Sequence, residues 1–137
     1  MPFEERRTWA YLATALIVPA GYLLVLVTGL GGLSASPAEG GFQVPLLVAV
    51  GTGIVANMFF VRPPRKGRDR RDERDAEIGR RGERVGFIVL GAAMIVPFAL
   101  VMAEAAYFWT AHAMYLAYVA SAVVSSAVKL VLYRRGL

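Results

Sequence analysis

Residues 62–84 read RPPRKGRDRRDERDAEIGRRGER, and residues 85–103 continue VGFIVLGAAMIVPFALVMA. The first stretch holds ten basic and six acidic side chains; the second holds none. A run of about 20 apolar residues is long enough for an α-helix to cross the hydrocarbon core of a bilayer. Backbone amides in that core must be paired within their own segment, so 85–103 is expected to be a membrane-spanning helix beside a charged segment that stays in water. Three more runs of this kind occur at 8–30, 44–61 and 113–133. With 137 residues, 57% hydrophobic content and a mean hydropathy of +0.53, the chain is too apolar for a soluble domain. The expectation is all-α: one transmembrane domain over 1–137, an integral membrane four-helix bundle with a charged cytoplasmic loop at 62–84. Spans one and two, then three and four, form its two hairpins.

The run at 8–30 is too long for the apolar region of a cleavable signal peptide, so it is read as a span. Orientation follows from charge. Of the fifteen basic residues, two precede the first span, ten lie in 62–84 and three lie between Lys129 and the C-terminus. The connections 31–41 and 104–112 have no lysine or arginine. The positive-inside rule places both termini and the middle loop in the cytoplasm of a bacterial inner membrane. Arginine outnumbers lysine thirteen to two, which fits a GC-rich bacterial genome. Lys129 stands about one turn inside the end of span four, within reach of the headgroups by snorkelling and without need of a buried partner.

Spans one and three share a pattern, Ala15–Leu16–Ile17–Val18–Pro19 against Ala93–Met94–Ile95–Val96–Pro97. Spans two and four share a small-residue pattern around Gly51–Gly53 and Ala120–Ala122. A duplicated hairpin accounts for both matches, as does the restricted alphabet of membrane helices. Small residues four apart mark the packing faces: Ala49, Gly53 and Asn57 in span two, and Ala113, Ala117, Ser121 and Ser125 in span four. Gly82 and Gly86 suggest a notch where span three enters the membrane, and Pro19 and Pro97 should bend their helices. No ionisable group lies at mid-depth; Asn57, Ser121, Ser125, Ser126, Thr14 and Thr52 are the deep polar residues. Asn57 is read as interhelical glue. A proton-coupled exporter would want a buried carboxylate, so that class is disfavoured.

The absence of cysteine and the presence of one histidine exclude a disulfide framework, a thiolate metal site and a Cys/His nucleophile pair. No acid, base and nucleophile assemble, so no enzyme, cofactor or metal site is expected. Glu104 and His112 might be imagined as a weak pair across the outer turn, but one imidazole and one carboxylate make a poor metal site. Tyr107, Phe108 and Trp109 read as interfacial anchors beside them, with Trp9 and Tyr11 on the opposite side.

In the charged segment, Glu77 can pair with Arg81 and Arg70 with Glu73, so a short helix running into span three is expected. The segment reads in three ways: a solvated topological anchor, a site for anionic lipid headgroups, or a docking surface for a protein partner. Nucleic acid is excluded for want of a dense basic face. The stretch Asp72–Glu73–Arg74 followed by Ile78, Arg81 and Gly82, an apolar span and a final Lys129, Tyr133, Arg134, Arg135, resembles small uncharacterised prokaryotic inner-membrane proteins with a cytoplasmic D-E-R-x-x-x-I signature. That resemblance covers about half the chain. It implies four helices, a domain of unknown function and no catalytic residues. The leading expectation is a docking or regulatory protein that presents Asp72, Glu73, Arg74, Asp75 and Arg81 to a membrane or cytoplasmic partner. The alternative is a small transporter or channel built as a homo-oligomer with Asn57 on its path.

Overall fold

The computed structural model describes residues 3–28, 43–60 and 73–136, and all of its regular structure is helical. Five helices follow one another: α1 (Phe3–Thr28), α2 (Gln43–Phe60), α3 (Glu73–Ala93), α4 (Ile95–Met102) and α5 (Tyr107–Arg134). Three stretches are long and apolar enough to cross a membrane: Glu5–Val25, Glu73–Met102 and Tyr107–Arg134. The apolar part of α2, Pro45–Ala56, is shorter. This is a membrane-type helical protein.

The stretch Glu73–Met102 is a single rod broken only at Met94. Proline has no N–H to offer the carbonyl four residues back, and Pro97 therefore leaves the Ala93 carbonyl without its helical partner. The break falls at that point, while Met94 N–H still reaches Leu90 O at 2.9 Å and Phe98 N–H reaches Met94 O at 3.2 Å. Pro19, its counterpart in sequence, leaves α1 unbroken. At the other end of the rod, α3 begins at Glu73 with Asp75 in its first turn, where carboxylates complement the helix dipole. The second half of the expected loop at 62–84 is thus helix continuous with the span, as its charge spacing suggested; 62–72 lie outside the described residues.

α4 ends in two reversed hydrogen bonds, Glu104 N–H to Val101 O and Ala105 N–H to Leu100 O, both 3.0 Å. This termination puts the residue after the cap in the left-handed region, and Glu104 occupies it at φ 54° where glycine is usual. The chain restarts at once. Trp109 N–H finds Ala106 O at 3.1 Å, and α5 begins at Tyr107 rather than near residue 113. The aromatic stretch read from sequence as a connection is therefore the first turn of a helix, because nothing between 107 and 113 breaks one.

α5 is the hub. It packs antiparallel to α3 along one side and antiparallel to α1 along another, α4 also rests on it, and α2 packs chiefly on α1. Large apolar side chains point outward on every element, including Leu16 and Ile17 on α1, Leu47 and Ile54 on α2, Phe87 on α3, Phe98 on α4 and Leu116 on α5. In water such a surface would drive aggregation; in a bilayer the acyl chains solvate it.

Candidate functional site

The tightest contact in the molecule joins α3 to α5. Ile78, Gly79, Gly82 and Gly86 are buried on α3. Their spacing puts all four on one helical face. On α5 Ala117, Ser126 and Leu130 are buried, with Ala117 and Ser126 each only 2% exposed. Ser121 Oγ donates to Gly86 O at 2.7 Å. A β-carbon built on Gly86 would stand 2.9 Å from Ser125 Cβ and 3.3 Å from Ser121 O, so only glycine lets the two backbones come this close. The notch at Gly82 and Gly86 and the α5 face of Ala117, Ser121 and Ser125 are therefore two sides of one seam. No described buried side-chain polar atom lacks a partner.

At the charged end of this seam the stem of Lys129 lies over Gly82, where a β-carbon would overlap its Cγ and Cε. Its ammonium emerges 3.6 Å from Glu83 Oε1. The partner it meets is an exposed carboxylate. One turn further out, Arg74 donates to Tyr133 O at 3.2 Å, near the α5 C-terminus where helix carbonyls have no helical donor. Two side-chain contacts thus brace the charged extension of α3 against the end of α5.

The face of α3 turned away from α5 carries Glu73, Glu77, Arg80 and Arg84, all on one helical stripe. Arg80 Nη2 donates to Glu77 Oε2 at 2.7 Å and Arg81 Nε donates to Glu77 Oε1 at 2.8 Å, so both carboxylate oxygens are taken. These donations, Arg80 first and Arg81 second, hold the Glu77 carboxyl below its ordinary range. Of the residues expected to form a docking surface, Glu73 and Arg81 are exposed. Arg74 reaches toward α5. Asp75 is half-buried, on the α5-facing side of the helix, and Asp72 lies outside the described residues, as does Arg70 of the expected Arg70–Glu73 pair. The sequence reading overlooked Arg80 and Arg84 as members of the open face. Their three- and four-residue spacing from Glu77 and Arg80 was the available signal.

A second cluster lies at the far end, where Tyr22 of α1, Ala49 of α2 and Phe108 of α5 are buried together with Val18, Leu46, Ala111 and Tyr115 against them. His112 Nδ1 is 2.6 Å from Phe108 O, a carbonyl that can only accept, so Nδ1 carries the proton. The other nitrogen, Nε2, meets the Tyr22 hydroxyl, also at 2.6 Å, and accepts a hydrogen bond from it when the imidazole is neutral. The imidazole stacks on Phe108 with centroids 4.2 Å apart, and Tyr115 meets Tyr22 edge-on. The histidine is thus held by Tyr22 and Phe108, and Glu104 stands exposed in the turn. No group of three metal-ligating side chains occurs among the described residues. Sequence spacing offered no hint of Tyr22, which is ninety positions from its partner.

On α2 the expected face divides. Ala49 is buried in the aromatic cluster, whereas nothing lies within 4 Å of a β-carbon built on Gly53. The side chain of Asn57 lies outside the described residues. The threonine hydroxyls are spent on their own helices, Thr14 to Ala10 O at 3.0 Å and Thr52 to Val48 O at 2.7 Å. Comparison of the chain with protein-family models, with curated proteins and with solved structures finds no match.

Proposed function

We propose that this chain is a four-span protein of the bacterial inner membrane, with both termini in the cytoplasm, whose α3 extension is a rigid post for docking another protein. The observation that carries the reading is the continuity of α3. It runs unbroken from Glu73 into its apolar part, and the Arg74 contact with Tyr133 O and the Lys129 stem over Gly82 fix its direction. A solvated anchor has no use for such bracing; a surface that must meet a partner at a set angle has. The mixed signs on the open stripe favour complementary charges on a protein over a uniformly anionic ligand. The arrangement of α1 with α2, and of the α3–α4 rod with α5, supports two hairpins closing a four-helix bundle and is compatible with their duplication. The transporter reading draws less support, since Thr14, Thr52 and Ser121 direct their hydroxyls to backbone carbonyls. The chain is read as a non-enzymatic protein.

The test is photocrosslinking in native membranes from a probe placed at Arg84, comparing the wild type with a Glu73→Lys, Arg80→Glu double reversal. Loss of a discrete crosslinked neighbour in the double variant, at unchanged chain level, is the expected result. An identical set of neighbours in both would sink the docking role.

A further inference from the structure

The charged end of the molecule is unevenly compensated. On the α3 side four described cations have mates, Arg80 and Arg81 on Glu77, Lys129 on Glu83 and Arg74 on Tyr133 O, while Arg84 makes no ion pair with a described carboxylate. On the α1 side the arrangement differs. Arg134 holds its guanidinium carbon 5.5 Å from the centroid of the Trp9 ring, and Arg135 follows at the end of α5. Arg6 stands three residues before Trp9, on the same face of α1. Arg6, Arg134 and Arg135 are exposed, and none of them forms an ion pair with a described carboxylate, Glu5 included.

We infer that this corner, made by Arg6, Trp9, Arg134 and Arg135, is a binding site for the phosphate of an anionic phospholipid headgroup. A guanidinium held over an indole by cation–π attraction keeps N–H donors available to fork onto phosphate oxygens. Tryptophan is the side chain that prefers the depth at which the glycerol and phosphate of a lipid lie. Positive charge without an ion pair to a described carboxylate, at the same level, supplies the attraction. The site differs from the charged segment at 62–84, where interspersed acids oppose an anion. It rests on the helices crossing a bilayer and not on the α3 post, so failure of the docking experiment would leave it standing.

The experiment is native mass spectrometry of the full chain released from vesicles of equal phosphatidylcholine and phosphatidylglycerol. The wild type should retain phosphatidylglycerol in preference to phosphatidylcholine. At about fivefold per arginine removed, Arg134→Gln with Arg135→Gln should weaken that retention roughly twentyfold or more. Arg80→Gln with Arg81→Gln should leave it within about twofold, because both already donate to Glu77, which offsets part of their charge, and they stand on α3 and not beside Trp9. Arg6→Gln gives a milder second variant should the double one misfold, with an expected loss of about fivefold. Millimolar inorganic phosphate should not displace the lipid, because the acyl chains and Trp9 contribute. Equal retention of both lipids by the wild type, no loss in either α1-side variant, an equal loss in the α3-side control, or full displacement by phosphate would each overturn the assignment.

Discussion

A methyl group at Gly86 has nowhere to go. Ser125 Cβ can yield only if α5 moves, and the Ser121 carbonyl behind it is backbone. Gly86→Ala should therefore destabilise the folded chain by about 1–3 kcal/mol, the usual cost of overpacking. Gly91→Ala is the control, since a β-carbon there meets nothing within 4 Å, and it should be close to neutral. Unfolding in bicelles followed by steric trapping would compare the two, and equal effects would contradict the close approach. At the opposite end, Tyr22→Phe removes the hydroxyl that meets His112 Nε2 while keeping the ring that packs in the aromatic cluster. A loss of about 0.5–1.5 kcal/mol is expected in the same assay, the range of interhelical hydrogen bonds in membranes.

The elements obey the charge pattern at their ends as much as the apolar pattern in their middles. Glu77 accepts from Arg80 and Arg81, and its carboxyl is held below the ordinary range. A carboxyl lowered in the folded state favours that state above its unfolded value, and the advantage disappears as pH falls through the lowered one. The helical carbon shifts of the first turns of α3 should accordingly be retained above about pH 4.3, the ordinary glutamate value, and weaken as pH falls below it. In the Arg80→Gln, Arg81→Gln variant the Glu77 carboxyl should titrate at higher pH than in the wild type, as read by carbon NMR of the full chain in micelles. The same local pairing was legible in the sequence, because i to i+4 spacing is a one-dimensional signal. So were the glycines of α3 and the small residues of α5, although not that Lys129 would lay its stem across the first of those glycines. The start of α5 was misjudged because aromatic residues were taken as a mark of the interface and hence of a turn, whereas a helix can carry such anchors within its own first turn. Pro19 and Pro97 have the same chemistry and different outcomes: α3 gives way to α4 at Met94, and α1 continues. The distinction depends on what surrounds each ring, which no string of letters contains.

At the scale of the molecule, apolar length predicted membrane-type helices and long-range contacts decided how they associate. The Tyr22–His112 bond and the approach of Arg134 to the Trp9 ring link residues far apart in the chain and could not have been read in advance. Topology can be tested directly because the chain contains no cysteine. A cysteine replacing Ala106 should react with an impermeant maleimide added to intact cells, and one replacing Gly136 should react only after permeabilisation; the reverse pattern would invert the proposed orientation. The central place of α5 has a further bearing on how the protein is made. Among the described helices it leaves the ribosome after all the others, yet α1 and α3 both have it as their principal neighbour. Until it enters the membrane, the glycine notch of α3 and the phenol of Tyr22 have no counterpart. A nascent chain halted before residue 107 should consequently linger at the insertion machinery and be degraded in place of assembling, which would make biogenesis of this bundle an all-or-nothing event timed by α5.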